Sequence, residues 1–114
     1  MTWYKEFYAG ESIEHKKDKV KWKILHNAGQ LDIYVIALSS NRENLLDIIS
    51  ARELMQKAYP KQDMLVVGVD KGYDNALELA ARIIMDVYQE TGNLNVRDYF
   101  GQQNNMRGAA VWKS

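Results

Sequence analysis

The stretch Leu31-Asp-Ile-Tyr-Val-Ile-Ala-Leu38 is apolar at nearly every position, and Met64-Leu-Val-Val-Gly-Val69 has the same character. Both are rich in β-branched and aliphatic residues and neither alternates. Each therefore reads as a strand covered on both faces, as in a parallel α/β sheet. Gly68, inside the second, marks the close approach of another backbone or a large side chain.

Working outward, the residues between these strands predict helix over about 42–58. Ser40-Asn-Arg-Glu43 has the S-x-x-E form of a capping box directly after the first strand. Leu45, Ile48, Ile49 and Met55 fall on one side of such a helix. A second S-x-x-E, Ser50-Ala-Arg-Glu53, predicts a restart, giving one bent helix or two short ones, and Tyr59-Pro60 ends the segment. The strongest element is a helix over about 74–90. Tyr73, Ala76, Leu77, Ala80, Ile83, Ile84, Val87 and Tyr88 recur there at steps of three and four. Asp74 is placed to cap it and Gly92 to stop it. This order predicts an α/β fold: a small sheet with a parallel β-α-β-α core, strands at about 31–38 and 64–69, and a right-handed crossover.

Upstream, residues 12–26 read either as an edge strand with a lysine-rich outer face or as a helix. In the strand reading, Asn27-Ala-Gly29 turns the chain back as a hairpin. The helix is preferred, because Glu11 and Glu14 stand at its start, lysines and His26 near its end, and Ile13, Val20 and Ile24 on one side. Tyr4, Phe7 and Tyr8 stand at helical spacing and predict a short docked helix. Leu94 to Phe100 suggests another short element. The polar run 101–108 is expected to be flexible, and Ala109-Ala-Val-Trp112 is apolar again.

The 114 residues suit a single domain, 1–114, and the formal net charge of zero argues against a general polyanion binder. The chain has no cysteine, so thiolate chemistry, disulfides and Cys-based zinc sites are excluded and a reducing, cytoplasmic setting is expected. Neither a signal peptide nor an apolar run long enough to cross a bilayer is visible.

In a parallel sheet, ligands favour the crevice beyond the carboxyl ends of the strands. That rule selects Ser40 and Asn41 after the first strand and Asp70, Lys71, Gly72 and Tyr73 after the second. Both stretches lead into helix N-termini, so a small anion such as phosphate is the expected ligand, with a possible enzymatic role. The competing reading is that Ser40 and Asp74 merely cap helices and Asp70-Lys71-Gly72 is a turn. Asp70 and Lys71 invite an acid/base pairing, but neighbours on a strand point to opposite faces.

His15 and His26, eleven residues apart, would stand about 16 Å apart along a helix, too far to share a metal. Neither histidine has a carboxylate pair at ligand spacing, so no metal is expected. No G-x-S-x-G supports a hydrolase of that kind, and no G-x-G-x-x-G or Walker-type loop is present to hold a nucleotide, so no cofactor is expected. His15 to Lys23 carries five lysines and Trp22. That composition suits phosphates and a stacked base, as in a nucleic-acid accessory protein acting through Lys16 to Lys23. The absence of arginine there and the neutral total charge weigh against nucleic acid. Trp3, Tyr4, Phe7, Tyr8, Tyr99, Phe100 and Trp112 exceed what a two-strand core needs, which points either to self-association through a continued sheet or an aromatic patch or to terminal segments that wrap their own domain.

Tyr34-Val-Ile-Ala-Leu38, Asn44-Leu-Leu-Asp-Ile-Ile49, Val67-Gly-Val-Asp-Lys-Gly-Tyr73 with Ala76-Leu77, and Val87-Tyr with Thr91-Gly92 and Val96-Arg97 resemble a set of short uncharacterised bacterial α/β proteins. The resemblance spans roughly residues 20 to 100. It implies a bacterial, cytoplasmic, single-domain protein with no named activity, cofactor or catalytic residue. The leading expectation is thus a non-enzymatic binding domain that forms a homo-oligomer or meets a protein partner.

Overall fold

The structure is a computed structural model and describes residues 1–26, 28, 32–38, 45–56, 59 and 64–101. It is a mixed α/β fold. The elements are β1 (Thr2–Ala9), a 3-10 turn (Glu14–Lys16), α1 (Lys17–Leu25), β2 (Ile33–Leu38), β3 (Leu46–Ser50), α2 (Ala51–Leu54), β4 (Leu65–Lys71) and α3 (Tyr73–Thr91). A last helical turn covers 96–101. The four strands form one sheet in the order β1-β4-β2-β3.

β4 is central, and Val66, Val67 and Val69 on it are fully buried. That is the two-sided burial its unbroken apolar run predicts. Pairing with β2 matches Ile36 to Gly68 and Ala37 to Val66, so one step on β2 spans two on β4. This bulge turns Val66 to the face of Ala37, while Gly68 and Asp70 share the face of Ile36 and Tyr34. A Cβ on Gly68 would stand 3.2 Å from Cδ1 of Ile83 and 3.5 Å from that of Ile36. The glycine admits α3 onto the sheet, the close approach expected from its place in the strand.

α3 buries Ala76, Leu79, Ala80, Ile83 and Val87, spaced three and four apart. Its N-cap is Gly72, with φ 83° and ψ 142°, a conformation that a side chain strains against. The Gly72 N–H donates to the Asp32 carbonyl at 2.7 Å, which ties the turn to the start of β2. Asp74 lies in the first turn rather than capping it. At the other end Gly92 adopts the left-handed conformation at φ 80°, and its N–H donates to the Tyr88 carbonyl, as a helix stop should.

Three expectations are overturned. First, β2 and β4 are neighbours but antiparallel, and the parallel pair is β1 with β4. No parallel β-α-β crossover joins 31–38 to 64–69. Second, the described part of 42–58 begins as a strand, not a helix. β3 pairs with β2 in unbroken register from Leu46↔Leu38 to Ser50↔Tyr34. A helix would put Ile48 and Ile49 on one side, whereas the strand sends them to opposite faces of the sheet. β-Branched side chains accept that arrangement readily, and β2 needs a partner on its far side. The Ser50-x-x-Glu53 box does start a helix. Ser50 Oγ accepts the Glu53 N–H at 3.2 Å, but α2 lasts one turn and ends at Leu54, before Tyr59-Pro60.

Third, the N-terminal aromatic segment is a strand. Between Trp3↔Val66 and Tyr8↔Gly68 it takes five steps where β4 takes two. Lys5 and Glu6 are thrown outward and Tyr4 and Phe7 are both buried. The three-residue spacing that imitates a helix is the trace of this bulge.

Within 12–26 the helix is found, beginning at Lys17 after the 3-10 turn. Ile13, Val20 and Ile24 are all buried. Lys17 Nζ donates to the Phe7 carbonyl at 3.3 Å and lies 5.3 Å from that ring, while Lys21 Nζ lies 5.4 Å from the Trp3 ring. Cation–π contacts of this kind contribute about 0.5–1 kcal/mol each. Phe100, in the last turn, packs edge-on against Tyr4 at 4.9 Å. The terminal aromatics of the described chain therefore serve its own core.

Gly68→Val should push α3 off the sheet at Ile83. We expect a loss of about 1–3 kcal/mol, as overpacking typically costs. Urea unfolding should show it as a lower midpoint at unchanged slope.

Candidate functional site

Because β2 and β4 run in opposite directions, their carboxyl ends stand at opposite ends of the sheet. Lys71 pairs with Ile33, whereas Leu38 pairs with Leu46. The expected crevice between the two strand ends does not form. Ser40 and Asn41 lie outside the described residues. Asp70, Lys71, Gly72 and Tyr73 are together at one end, but they diverge. Lys71 is exposed, its N–H donating to Asp70 Oδ1 at 2.7 Å and its carbonyl accepting Asn75 Nδ2 at 2.9 Å. Gly72 forms the turn. Tyr73 leans edge-on against Tyr34, on the β2 side of α3.

The strand-end rule applies instead to the pair that is parallel. Beyond the carboxyl ends of β1 and β4 lies a cleft of about 690 Å³. Gly10 and Glu11 line it from the chain leaving β1, Asp70 from the end of β4, and Asn75, Glu78 and Arg82 from α3. Ser12 and Leu79 complete the lining. The three α3 polar residues recur at steps of three and four, on the flank that faces β1. Arg82 lies 5.5 Å from the Tyr8 ring, and Tyr8 Oη donates to Asp86 at 2.9 Å on the same flank. Burial, together with that carboxylate, pushes the Tyr8 hydroxyl up to about 12.

Asp70 is the unusual member. It is 4% exposed and is the buried charged residue of the described core. Burial raises its carboxyl above the ordinary range, the Lys71 N–H opposes this, and the charge of Glu78 adds to it. Among the described residues no basic side chain forms an ion pair with it. A Cβ on Gly10 would land on the Asp70 carboxylate, so only glycine leaves room for it. Of the cleft residues the sequence points to Asp70 but not to Gly10, Glu11, Ser12, Asn75, Glu78, Leu79 or Arg82. The helical spacing of Tyr4, Phe7 and Tyr8 hides a strand end at Gly10. The Asn75, Glu78, Arg82 spacing was nevertheless visible beside the apolar stripe of α3.

The lysine-rich segment is divided by its own helix. Lys17 and Lys21 cover Phe7 and Trp3, while Lys16 and Lys19 are exposed. Trp22 is exposed too, stacked on His26 at 4.1 Å. Among the described residues no helix is long and apolar enough to cross a membrane. No family model, curated protein or solved structure matches this chain, so its sites rest on their own geometry.

Asp70→Asn keeps the side-chain shape and removes the charge. A raised native pKa means that the folded state holds the proton more tightly than the unfolded state. The resulting stability is full below the unfolded carboxyl value and is lost as pH rises through the raised one. At pH 7 the buried carboxylate therefore costs stability. Asp70→Asn is expected to raise Tm at pH 7, with an advantage that shrinks as pH falls toward about 3. Calorimetry across that range reads it, and an advantage independent of pH would show that charge is not its cause.

Proposed function

We propose that this protein is a non-enzymatic, cytoplasmic interaction domain that self-associates by pairing β3 with β3 of a second copy. The observation that carries the reading is the unequal protection of the two sheet edges. β1 is blunted by its bulge and by exposed Lys5 and Glu6. β3 has no bulge, lysine, arginine or proline, its one charged side chain is the half-buried Asp47, and among the described residues nothing pairs with its outer side. Natural sheets blunt such edges unless the edge is used.

The flank of α3 above this edge is apolar as well. Arg82 and Asp86 face β1, so the opposite flank, with Tyr73, Leu77, Ile84 and Tyr88, overhangs β2 and β3. Tyr73 and Leu77 are each 51% exposed and Tyr88 48%. Leu45 is exposed, and Leu46 and Ile48 are half-buried, just below. Antiparallel pairing of two β3 strands about a two-fold axis normal to the sheet places both α3 flanks on one face, either side of the axis. The contact is isologous and closes on itself. The absence of cysteine suits a reducing compartment.

Sedimentation equilibrium should give twice the monomer mass, and hydrogen exchange should show protected outward N–H groups on β3. Leu77→Glu with Tyr88→Glu should yield a monomer with stability changed by no more than about 0.5 kcal/mol per site, since both are exposed. A strictly monomeric wild-type mass at high concentration removes the reading.

A further inference from the structure

The β1–β4 cleft lies on the opposite flank of α3 from the proposed interface, and its chemistry is different. We propose that it binds a small organic cation bearing a primary ammonium group, anchored on the Asp70 carboxylate with Glu78 and Glu11 as flanking acceptors. Three observations converge on this class. The first is the buried anchor: Asp70 is 4% exposed at the cleft, it accepts the Lys71 N–H, and no basic side chain of the described residues forms an ion pair with it. A buried carboxylate without a cation is strongly disfavoured, and a ligand ammonium supplies the missing charge together with three hydrogen-bond donors.

The second is the polarity of the walls. Glu11, Glu78 and the Ser12 hydroxyl offer acceptors. Asn75 spends its amide nitrogen on the Lys71 carbonyl, which leaves its amide oxygen to accept. Arg82 is the basic lining residue, and it is held beside the Tyr8 ring. Buried Leu79 adds an apolar patch for a short methylene chain. The third is room: Gly10 is the residue that lets the Asp70 carboxylate stand where it does, and the cleft of about 690 Å³ accommodates a small molecule. A metal ion fits less well, because no three His, Cys, Asp or Glu of the described residues are grouped to hold one. The anion expected from the strand-end rule meets carboxylates instead.

The test is titration calorimetry and thermal shift on the full chain with 1,4-diaminobutane, against inorganic phosphate and Mg²⁺ as separate arms. The diamine should bind saturably and raise Tm, while phosphate and Mg²⁺ should do neither. Asp70→Asn, expected to be at least as stable as the wild type, should lose about tenfold or more in diamine affinity, as loss of one member of a buried charge pair does. Glu78→Gln should lose less. The Asp70 carboxyl, followed by carbon NMR, should titrate at lower pH when the diamine is bound. The doubly substituted Leu77→Glu, Tyr88→Glu chain should bind as the wild type does, so this result is separable from oligomerisation. Equal diamine affinity in Asp70→Asn, no diamine binding at about 10 mM, or stabilisation by phosphate or Mg²⁺ in place of the diamine overturns the proposal.

Discussion

β4 must be covered on both faces at once, and the rest of the molecule is arranged around that requirement. Three fully buried valines on one short strand contribute on the order of 1.5–3 kcal/mol each, more than a surface ion pair does. The bulge beside Val66 brings it to the face that Val69 shares with Val35 and Ala37. One face receives α3, admitted by the missing side chain at Gly68. The other shares its side of the sheet with Phe7 and Trp3, over which α1 lays Lys17 and Lys21. Remove the close approach at Gly68 and α3 loses both its height above the sheet and the alignment of its two flanks.

Those two flanks divide the surface by chemistry. A helix that buries Ala76, Leu79, Ala80, Ile83 and Val87 must turn the residues on either side of that stripe toward the sheet's two edges. On the β1 side these are Asn75, Glu78, Arg82 and Asp86, beside a strand whose bulge already discourages pairing. On the β3 side they are Tyr73, Leu77, Ile84 and Tyr88, above a strand that carries no bulge, lysine or proline and one charge, Asp47. The polar flank and the apolar flank thus each stand over the sheet edge that matches them.

Asp70 is where local stability gives way. Elsewhere the core is apolar. Here a carboxylate is enclosed by strand, glycine and helix with one backbone N–H and a like-charged neighbour. Folding tolerates this because the deep burial of β4 carries the residue to its place whatever its own preference. Strain and uncompensated charge concentrate at sites that act, and in this chain they meet at the β1–β4 cleft rather than at a helix cap.

The amino-acid sequence by itself determined that about 31–38 and 64–69 hold covered strands, that about 74–90 is an amphipathic helix stopped at Gly92, that Ser50 starts a helix, and that Gly68 marks a close contact. In each case the signal is local: an unbroken β-branched run, a 3.6-residue period, a cap. Only the tertiary structure decided strand direction, the strand state of β1 and β3, and the membership of the cleft. Direction depends on which partner a strand finds, and an apolar run looks the same either way. Tyr4, Phe7 and Tyr8, or Leu45, Ile48 and Ile49, satisfy a helical stripe and a bulged or two-faced strand alike. The choice between them is made by the unfilled edges of β4 and β2, which are not neighbours in the chain. Gly10 meets Asp70 across sixty residues for the same reason.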